Sequence, residues 1–455
     1  MQSLILKMKT KKILIIATAF SPENEIGALR VTKLVKYLIR QGFSITIFSP
    51  ELHEGSKIND APEPVEFKNI ERHTVHLSET FQKIFLKKRN ELTKNTSATN
   101  LISNKRGGFI ASLKSSLMRI VQFLYSLLRG YDWYREVVNS QEYKNSLNYE
   151  YDAIFSSYPS VAAHWVGINA SKVLKIPLIT DFRDPMNYET NSNWFNLQVN
   201  TYLQRQIIKK AAVVTTIAKD LIPKLKDGYK YSNTRFIYLP NGYDIDDLEV
   251  STQKINDDDF LTFCYVGSLY GGQRKLNSFF EALRDAIEKK IIPKDKIKFV
   301  YAGKEFGVLH RVAEKFNLTD ILIDKGFVSR EESIDLQANS DLIIVVTWNT
   351  KKDQGIMTGK LYECMLTEKP VIVVVNGNVP NSEIKRVIKM VEGGFVIEDA
   401  SLHFDKEKEE LVQFLKEAYI NKSTMGRLPN FYNNKRDEFS YESIVKKFGT
   451  LISQL

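Results

Sequence analysis

Residues 13–48, ILIIATAFSPENEIGALRVTKLVKYLIRQGFSITIF, decide the fold. Ile13 to Ala19 reads as a parallel strand buried on both faces, because its apolar run does not alternate. A turn holding Pro22 and Gly27 follows, then a helical pattern from Leu29 to Arg40 that Gly42 stops. Phe43 to Phe48 is the next strand. Strand, crossover helix and strand in this spacing predict a right-handed βαβ unit in a parallel sheet. Lys7, Lys9, Lys11 and Lys12 precede the run, and Ala17-Thr18-Ala19 looks like a cleavage site. The core Ile13–Ala17 is nevertheless shorter than the roughly 7–15 apolar residues of a secretory signal.

Moving outward, the pattern resumes with strands at Asp152–Ser156, Pro177–Thr180 and Val213–Ile217, and helices at Ser160–Leu174 and Trp194–Lys210. Pro240-Asn241-Gly242-Tyr243-Asp244 closes this half. Residues 245–260 are polar and acidic and read as a linker. A second series then supplies strands at Leu261–Gly267, Ile297–Tyr301, Leu322–Val328, Leu342–Thr347 and Val371–Val375. Helices are expected near Asn277–Lys289, Gly307–Phe316, Arg330–Ala338, Gly359–Leu366, Asn381–Met390, Lys406–Tyr419 and Tyr441–Ile452. The prediction is α/β: two tandem, doubly wound, Rossmann-like parallel sheets over 1–244 and 261–430, with 431–455 as a closing helical segment. Such sheets bind ligands outside the carboxyl ends of their strands, here in the cleft between two facing domains.

The chain has 455 residues, 43% of them hydrophobic, which excludes a disordered chain. Its 64 Lys+Arg against 54 Asp+Glu give a net charge of +10. Between Phe81 and Gly130 stand ten of these cations and one acid, Glu91, so nine of the ten net charges lie in one insert. On a helical projection Phe109, Ile110, Leu113, Leu117, Ile120, Val121, Leu124, Leu127 and Leu128 share one arc, opposite Lys114, Arg119, Gln122 and Arg129. A lysine-rich loop (Lys83, Lys87, Lys88, Arg89, Lys94, Lys105, Arg106) precedes them. This pattern fits either an anionic membrane surface or an ordinary core-facing helix beside a solvated loop. No stacking platform or zinc-finger pattern supports nucleic acid. Cys264 and Cys364 make no disulfide framework and read as buried thiols in a reducing cytoplasm. No stretch reaches the roughly 18 apolar residues of a membrane span.

The chemistry-bearing residues lie at the carboxyl ends of the strands. They are Ser21–Gly27, Ser156–Ser160 and Asp181-Phe182-Arg183-Asp184-Pro185 in the first half. In the second they are Gly267-Ser268-Leu269-Tyr270-Gly271-Gly272-Gln273-Arg274, Gly303-Lys304 and Gly355–Glu363. Glycine lets backbone approach a ligand, and a helix N-terminus offers N–H donors to phosphate. Arg274 and Lys360 add cations beside two of these loops, which together look like a cradle for a diphosphate. Gly-x-Gly-x-x-Gly, Walker A and Gly-x-Ser-x-Gly motifs are absent, as is any metal-ligand spacing of His or Cys.

In the order of these phrases the chain resembles GT-B fold glycosyltransferases, specifically family 4 of bacterial surface polysaccharide synthesis (capsule, O-antigen and lipopolysaccharide types). The elements that carry the resemblance are Ser21-Pro22 to Gly27, Asp181–Pro185, Pro240–Asp244, Gly267–Tyr270 with Arg274, Gly326-Phe327-Val328, and Thr358-Gly359-Lys360-Leu361-Tyr362-Glu363 ending at Lys369-Pro370. The resemblance implies that Arg274 and Lys360 neutralise the donor diphosphate, with Gly267, Ser268 and Gly359 shaping its loops. It implies that Glu363 accepts from the ribose hydroxyls, that Phe327 and Val328 line the base site, and that Gly27 lets the first loop approach donor and acceptor. It places Asp181, Arg183 and Asp184 on the acceptor side, with Asp184 a catalytic candidate; the other reading of the three is a salt-bridge knot. His164 is the candidate for a cleft histidine, and a core histidine is the alternative. The last helix is expected to cross back onto the first domain.

One departure stands out. The family carries two glutamates eight positions apart, and eight before Glu363 stands Gly355; Asp353 is the nearest acid. The family implies transfer from a nucleotide sugar to a lipid-linked saccharide with retention of configuration, metal-independent and without a cofactor. The enzyme would be cytoplasmic and peripheral on the inner membrane face, held there by 81–130. A nucleotide-sugar epimerase of the same fold and a non-catalytic scaffold are the rival readings.

Overall fold

The computed structural model describes residues 10–23, 26–52, 58, 63–84, 109–188, 193–248 and 259–455. Lys7, Lys9, Asn24, Glu25, Lys87, Lys88, Arg89, Glu91, Lys94, Lys105, Arg106 and most of the linker expected at 245–260 lie outside the described residues. Two compact units form. One holds the chain up to Ile217 with Leu221–Leu239 and Val445–Leu455; the other holds Ala218–Asp220 and Pro240–Ile444.

The first unit is built on seven parallel strands: β1 (Lys12–Ala17), β2 (Ser44–Pro50), β3 (Glu71–Val75), β4 (Ala153–Ser157), β5 (Leu178–Phe182), β6 (Val213–Thr216) and β7 (Arg235–Tyr238). Their order is β3-β2-β1-β4-β5-β6-β7. The second has six, β8 (Leu261–Val266), β9 (Ile297–Ala302), β10 (Leu322–Asp324), β11 (Leu342–Asn349), β12 (Val371–Gly377) and β13 (Gly394–Glu398), in the order β10-β9-β8-β11-β12-β13. Both are doubly wound. The order reverses between β1 and β4 in one sheet and between β8 and β11 in the other, where a ligand crevice opens at the carboxyl ends.

The strands form where the sequence is continuously apolar. Ile13 to Ala17 and Leu342 to Val346 are buried throughout. Helices close each sheet with one apolar face: Phe279, Phe280 and Leu283 of the helix Asn277–Glu288 pack with Phe263 and Phe299. The segment Pro240–Asp244, expected to end the first domain, falls in the second unit, where the Tyr243 N–H donates to Phe439 at 3.0 Å. From Val445 onward the last helix, Tyr441–Ser453, belongs to the first unit, where Phe448 rests edge-on against Phe155 at 5.4 Å.

The insert forms a helix of 31 residues, Phe109–Asn139. Trp133 and Val137 are buried and Leu127 packs on the core. Leu117 is 62% exposed and Leu128 58%, with Met118, Val121, Leu124 and Tyr131 also open. Leu117, Val121, Leu124 and Leu128 of the apolar arc therefore face outward while Leu127 packs inward, and the side chains of Phe109, Ile110, Leu113 and Lys114 lie outside the described residues. Among the described residues no helix is long and apolar enough to cross a membrane.

Candidate functional site

In the second unit the crevice is built from the ends of β8, β9 and β11. Gly267 ends β8 with φ +135, and a Cβ there would stand 2.8 Å from Lys360 Cε. Only glycine holds this backbone and lets the lysine lie across it. Lys360 and Glu363 share one face of the helix Gly359–Thr367, at i and i+3. Gly359 opens that helix into open space, with nothing within 4 Å of where a Cβ would stand, and Thr358, its N-cap, makes no side-chain capping bond. Glu363 accepts from Gln337 Nε2 at 3.2 Å and stands 3.8 Å from Arg330, which also pairs with Asp247 at 3.1 Å.

Arg274 is held by aromatic faces. Its guanidinium carbon lies 4.5 Å from the centre of the Tyr270 ring and 5.3 Å from that of Trp348, and these two rings meet edge-on at 5.6 Å. Its Nη1 donates to the Ser268 carbonyl at 3.4 Å. Phe327 is 73% exposed, with the Lys304 ammonium 4.6 Å from its ring centre; Val328 beside it is half-buried. Gly355 has φ +70, so the loop at this position disfavours the glutamate of the family pattern. Asp353, two residues before it, is buried.

In the first unit the structure separates residues that sequence reasoning grouped. Asp181 is fully buried and does not face a ligand. It takes Arg30 through two bonds at 3.0 and 2.9 Å, with Thr215 at 2.8 Å and Ser157 at 3.0 Å. Burial alone would raise its pKa, but the Arg30 guanidinium and these bonds outweigh burial and hold it below the usual carboxylate range. The knot reading is correct for Asp181, and its partner is Arg30 rather than Arg183.

His164 is likewise a core residue, not a site residue: no part of it reaches solvent. Its Nδ1 lies 2.8 Å from Ser156 Oγ and its ring stacks on Phe182 at 4.8 Å. Burial pushes its pKa down to about 3, with only a weak opposing pull from Asp181, so the ring is neutral.

Gly27, Arg183 and Asp184 do converge. A Cβ on Gly27 would stand 3.1 Å from Arg183 Nη1, a buried donor with no hydrogen-bond partner among the described residues. Arg183 Nη2 stands 3.9 Å from Asp184, whose side chain keeps 46% of its surface open although protein surrounds it closely. That is the environment of a group lining a hollow. Desolvation raises its pKa, Arg183 partly counters this, and Asp181 adds to it. At the same strand ends lies a cavity of about 440 Å³, lined by Thr18, Tyr158, Met186 and, from the insert helix, Phe123, Leu127 and Arg129. The Thr18 hydroxyl oxygen is buried there with no hydrogen-bond partner among the described residues.

Sequence reading singled out the phrase holding Tyr270 without giving that ring a role, and missed Arg330, Gln337, Trp348 and Glu305. The last follows directly on Gly303-Lys304, a phrase already singled out. Among the described residues no group of three His, Cys, Asp or Glu could hold a metal.

No protein-family model matches the chain, and no curated protein does. Solved structures match it over nearly its full length at low identity. Sucrose-phosphate synthase from Thermosynechococcus elongatus is 13% identical with a TM-score of 0.58, covering 98% of each chain. HepE of Anabaena, solved with UDP-glucose, is 15% identical with a TM-score of 0.53, covering 98% of this chain and all of that one. A Listeria monocytogenes protein assigned as a UDP-N-acetylglucosamine 2-epimerase is 12% identical with a TM-score of 0.51, covering 98% and 96%. These proteins differ in what they do, so the likeness speaks for architecture alone. The chain has the two-unit α/β architecture of the GT-B fold.

Proposed function

We propose that this chain is a glycosyltransferase that moves a sugar from a nucleoside-diphosphate sugar onto a lipid-linked saccharide, working at the anionic inner face of the cytoplasmic membrane. One observation carries the donor half: Lys360 lies across Gly267 at the end of β8, and Glu363 shares its helix face one turn on. A cation there meets the diphosphate, and a carboxylate one turn away suits the two ribose hydroxyls. Arg274, braced by Tyr270 and Trp348, supplies the second cation.

The barrier to transfer lies in the charge that gathers on the departing diphosphate, so preorganised cations are the main lever. Arg274 and Lys360 fill this role in place of a metal. The bond from the sugar's anomeric carbon to the phosphate oxygen breaks, and the acceptor oxygen bonds to that carbon on the same face, which retains configuration. Asp184, a half-exposed carboxylate with a raised pKa, takes the proton from the acceptor hydroxyl. The acceptor is assigned to the 440 Å³ cavity, whose wall is the insert helix. Its outward stripe Leu117, Val121, Leu124 and Leu128 is assigned to the membrane.

The test is a panel of nucleotide sugars, read first as thermal stabilisation and then as transfer. Arg274→Ala is expected to lower transfer about a hundredfold, and Glu363→Ala to weaken donor binding. Unchanged turnover in both variants would remove the site assignment. An epimerised donor formed without acceptor would replace transfer with the epimerase reading.

A further inference from the structure

The loop after β8 is one of those expected to form a cradle for a diphosphate. In the structure its N–H groups already hold an anion. The N–H groups of Leu269, Tyr270 and Gly271 donate to the Glu305 carboxylate at 2.6, 3.1 and 2.6 Å, and the Ser268 hydroxyl donates to it at 2.6 Å. Tyr270 and Gly271 have φ of +52 and +64, the turn geometry that points successive N–H groups into one concavity. Glu305 is itself anchored. Its N–H donates to Tyr301 Oη at 3.1 Å, and the Tyr301 hydroxyl donates to the Gly267 carbonyl at 3.1 Å. The hydroxyl of Tyr265 holds the Ser268 carbonyl at 2.8 Å.

Tyr270, the middle donor of this nest, is the ring that Arg274 lies on and that meets Trp348. We propose that Glu305 is a positioning residue: an internal counter-anion that fixes the Ser268–Gly271 backbone and through Tyr270 sets Arg274 for a diphosphate. The consequence is that the diphosphate is gripped by the side chains of Arg274 and Lys360, and the loop N–H groups are not available to it. This inference rests on the nucleotide-sugar reading of the same site.

Two substitutions separate the possibilities. Glu305→Ala empties the nest. Glu305→Gln keeps the size and can preserve the three bonds that meet one oxygen, from Ser268, Leu269 and Tyr270, while turning an amide donor toward the Gly271 N–H. The probes are UDP affinity by calorimetry and the near-ultraviolet dichroism of Trp348, one of four tryptophans, assigned by Trp348→Phe. Glu305→Ala is expected to lose the Trp348 band and to weaken UDP binding about tenfold, with formate restoring both in part. Glu305→Gln is expected to keep the band and to bind UDP within about threefold of the parent. An unchanged band and unchanged affinity in Glu305→Ala would overturn the proposal. So would tighter UDP binding in Glu305→Ala, because the donor would then be using the vacated nest. If the parent protein binds no UDP, the donor reading fails, and the Trp348 band alone still decides what Glu305 does.

Discussion

His164 shows how one buried side chain ties stability to pH. Its folded pKa of about 3 lies below the ordinary 6.5, because burial penalises the charged ring. The unfolded chain therefore binds the proton more readily. The stabilisation is whole above pH 6.5 and is lost as pH falls toward 3, by about 1.4 kcal/mol per unit. Urea unfolding of the parent and of His164→Asn at pH 7 and pH 5 checks this: the parent should lose about 2 kcal/mol more than the variant. An equal loss would mean that the ring is not sealed. Glu305 works in the same sense, though here it is the charged form that the fold favours. The Ser268 hydroxyl and then the loop N–H groups depress its pKa, so the ordered loop persists above the ordinary glutamate range and loosens only in acid. At this scale the Lys360–Glu363 spacing was legible in the sequence, because both act through side chains at helical distance. Glu305 was not, since its partners are mostly backbone N–H groups that no sequence pattern displays. Asp181 misled for a related reason: a strand-end acid reads the same whether it meets a ligand or Arg30.

Among the elements, the strands at the centre of each sheet were readable because burial on both faces demands unbroken apolar runs. The edge strands β3 and β13 were not, although the edge strand β10 was. β3 is polar, with Glu71 paired to Lys12 and Thr46, and β13 is five residues entered through Gly394. The insert helix was readable as amphipathic, but its direction was not, because the same periodicity serves a core or a bilayer. The structure gives it two different faces. Val121 and Leu128 point out, while Leu127 packs inward beside the cavity. Val121→Asp and Leu128→Asp should each weaken cosedimentation with anionic liposomes and leave the melting temperature nearly unchanged. Leu127→Asp should destabilise the first unit by several kcal/mol, as burying an unpaired charge does. Liposome binding that survives both outward changes would end the membrane assignment.

For the whole molecule, nine of the ten net charges sit in one insert and the rest is near neutral, so adding salt should weaken liposome binding far more than donor binding. The two units have separate sheets and separate cores, and calorimetry should resolve two unfolding transitions. UDP should raise the one belonging to the second unit. Ending the chain after Ile444 should lower the other, since Val445, Phe448 and Ile452 are buried in the first unit. A uniform shift in both would contradict this division.

The return of Val445–Leu455 to the first unit also sets a timetable for the ribosome. The first unit emerges early, yet the surface around Phe155 waits uncovered while residues 240–444 are translated. At about 5–20 residues per second that wait is roughly 10–40 s. During it the apolar patch that Phe448 later covers is open to solvent and chaperones, so the first half finishes folding only after the last helix has emerged.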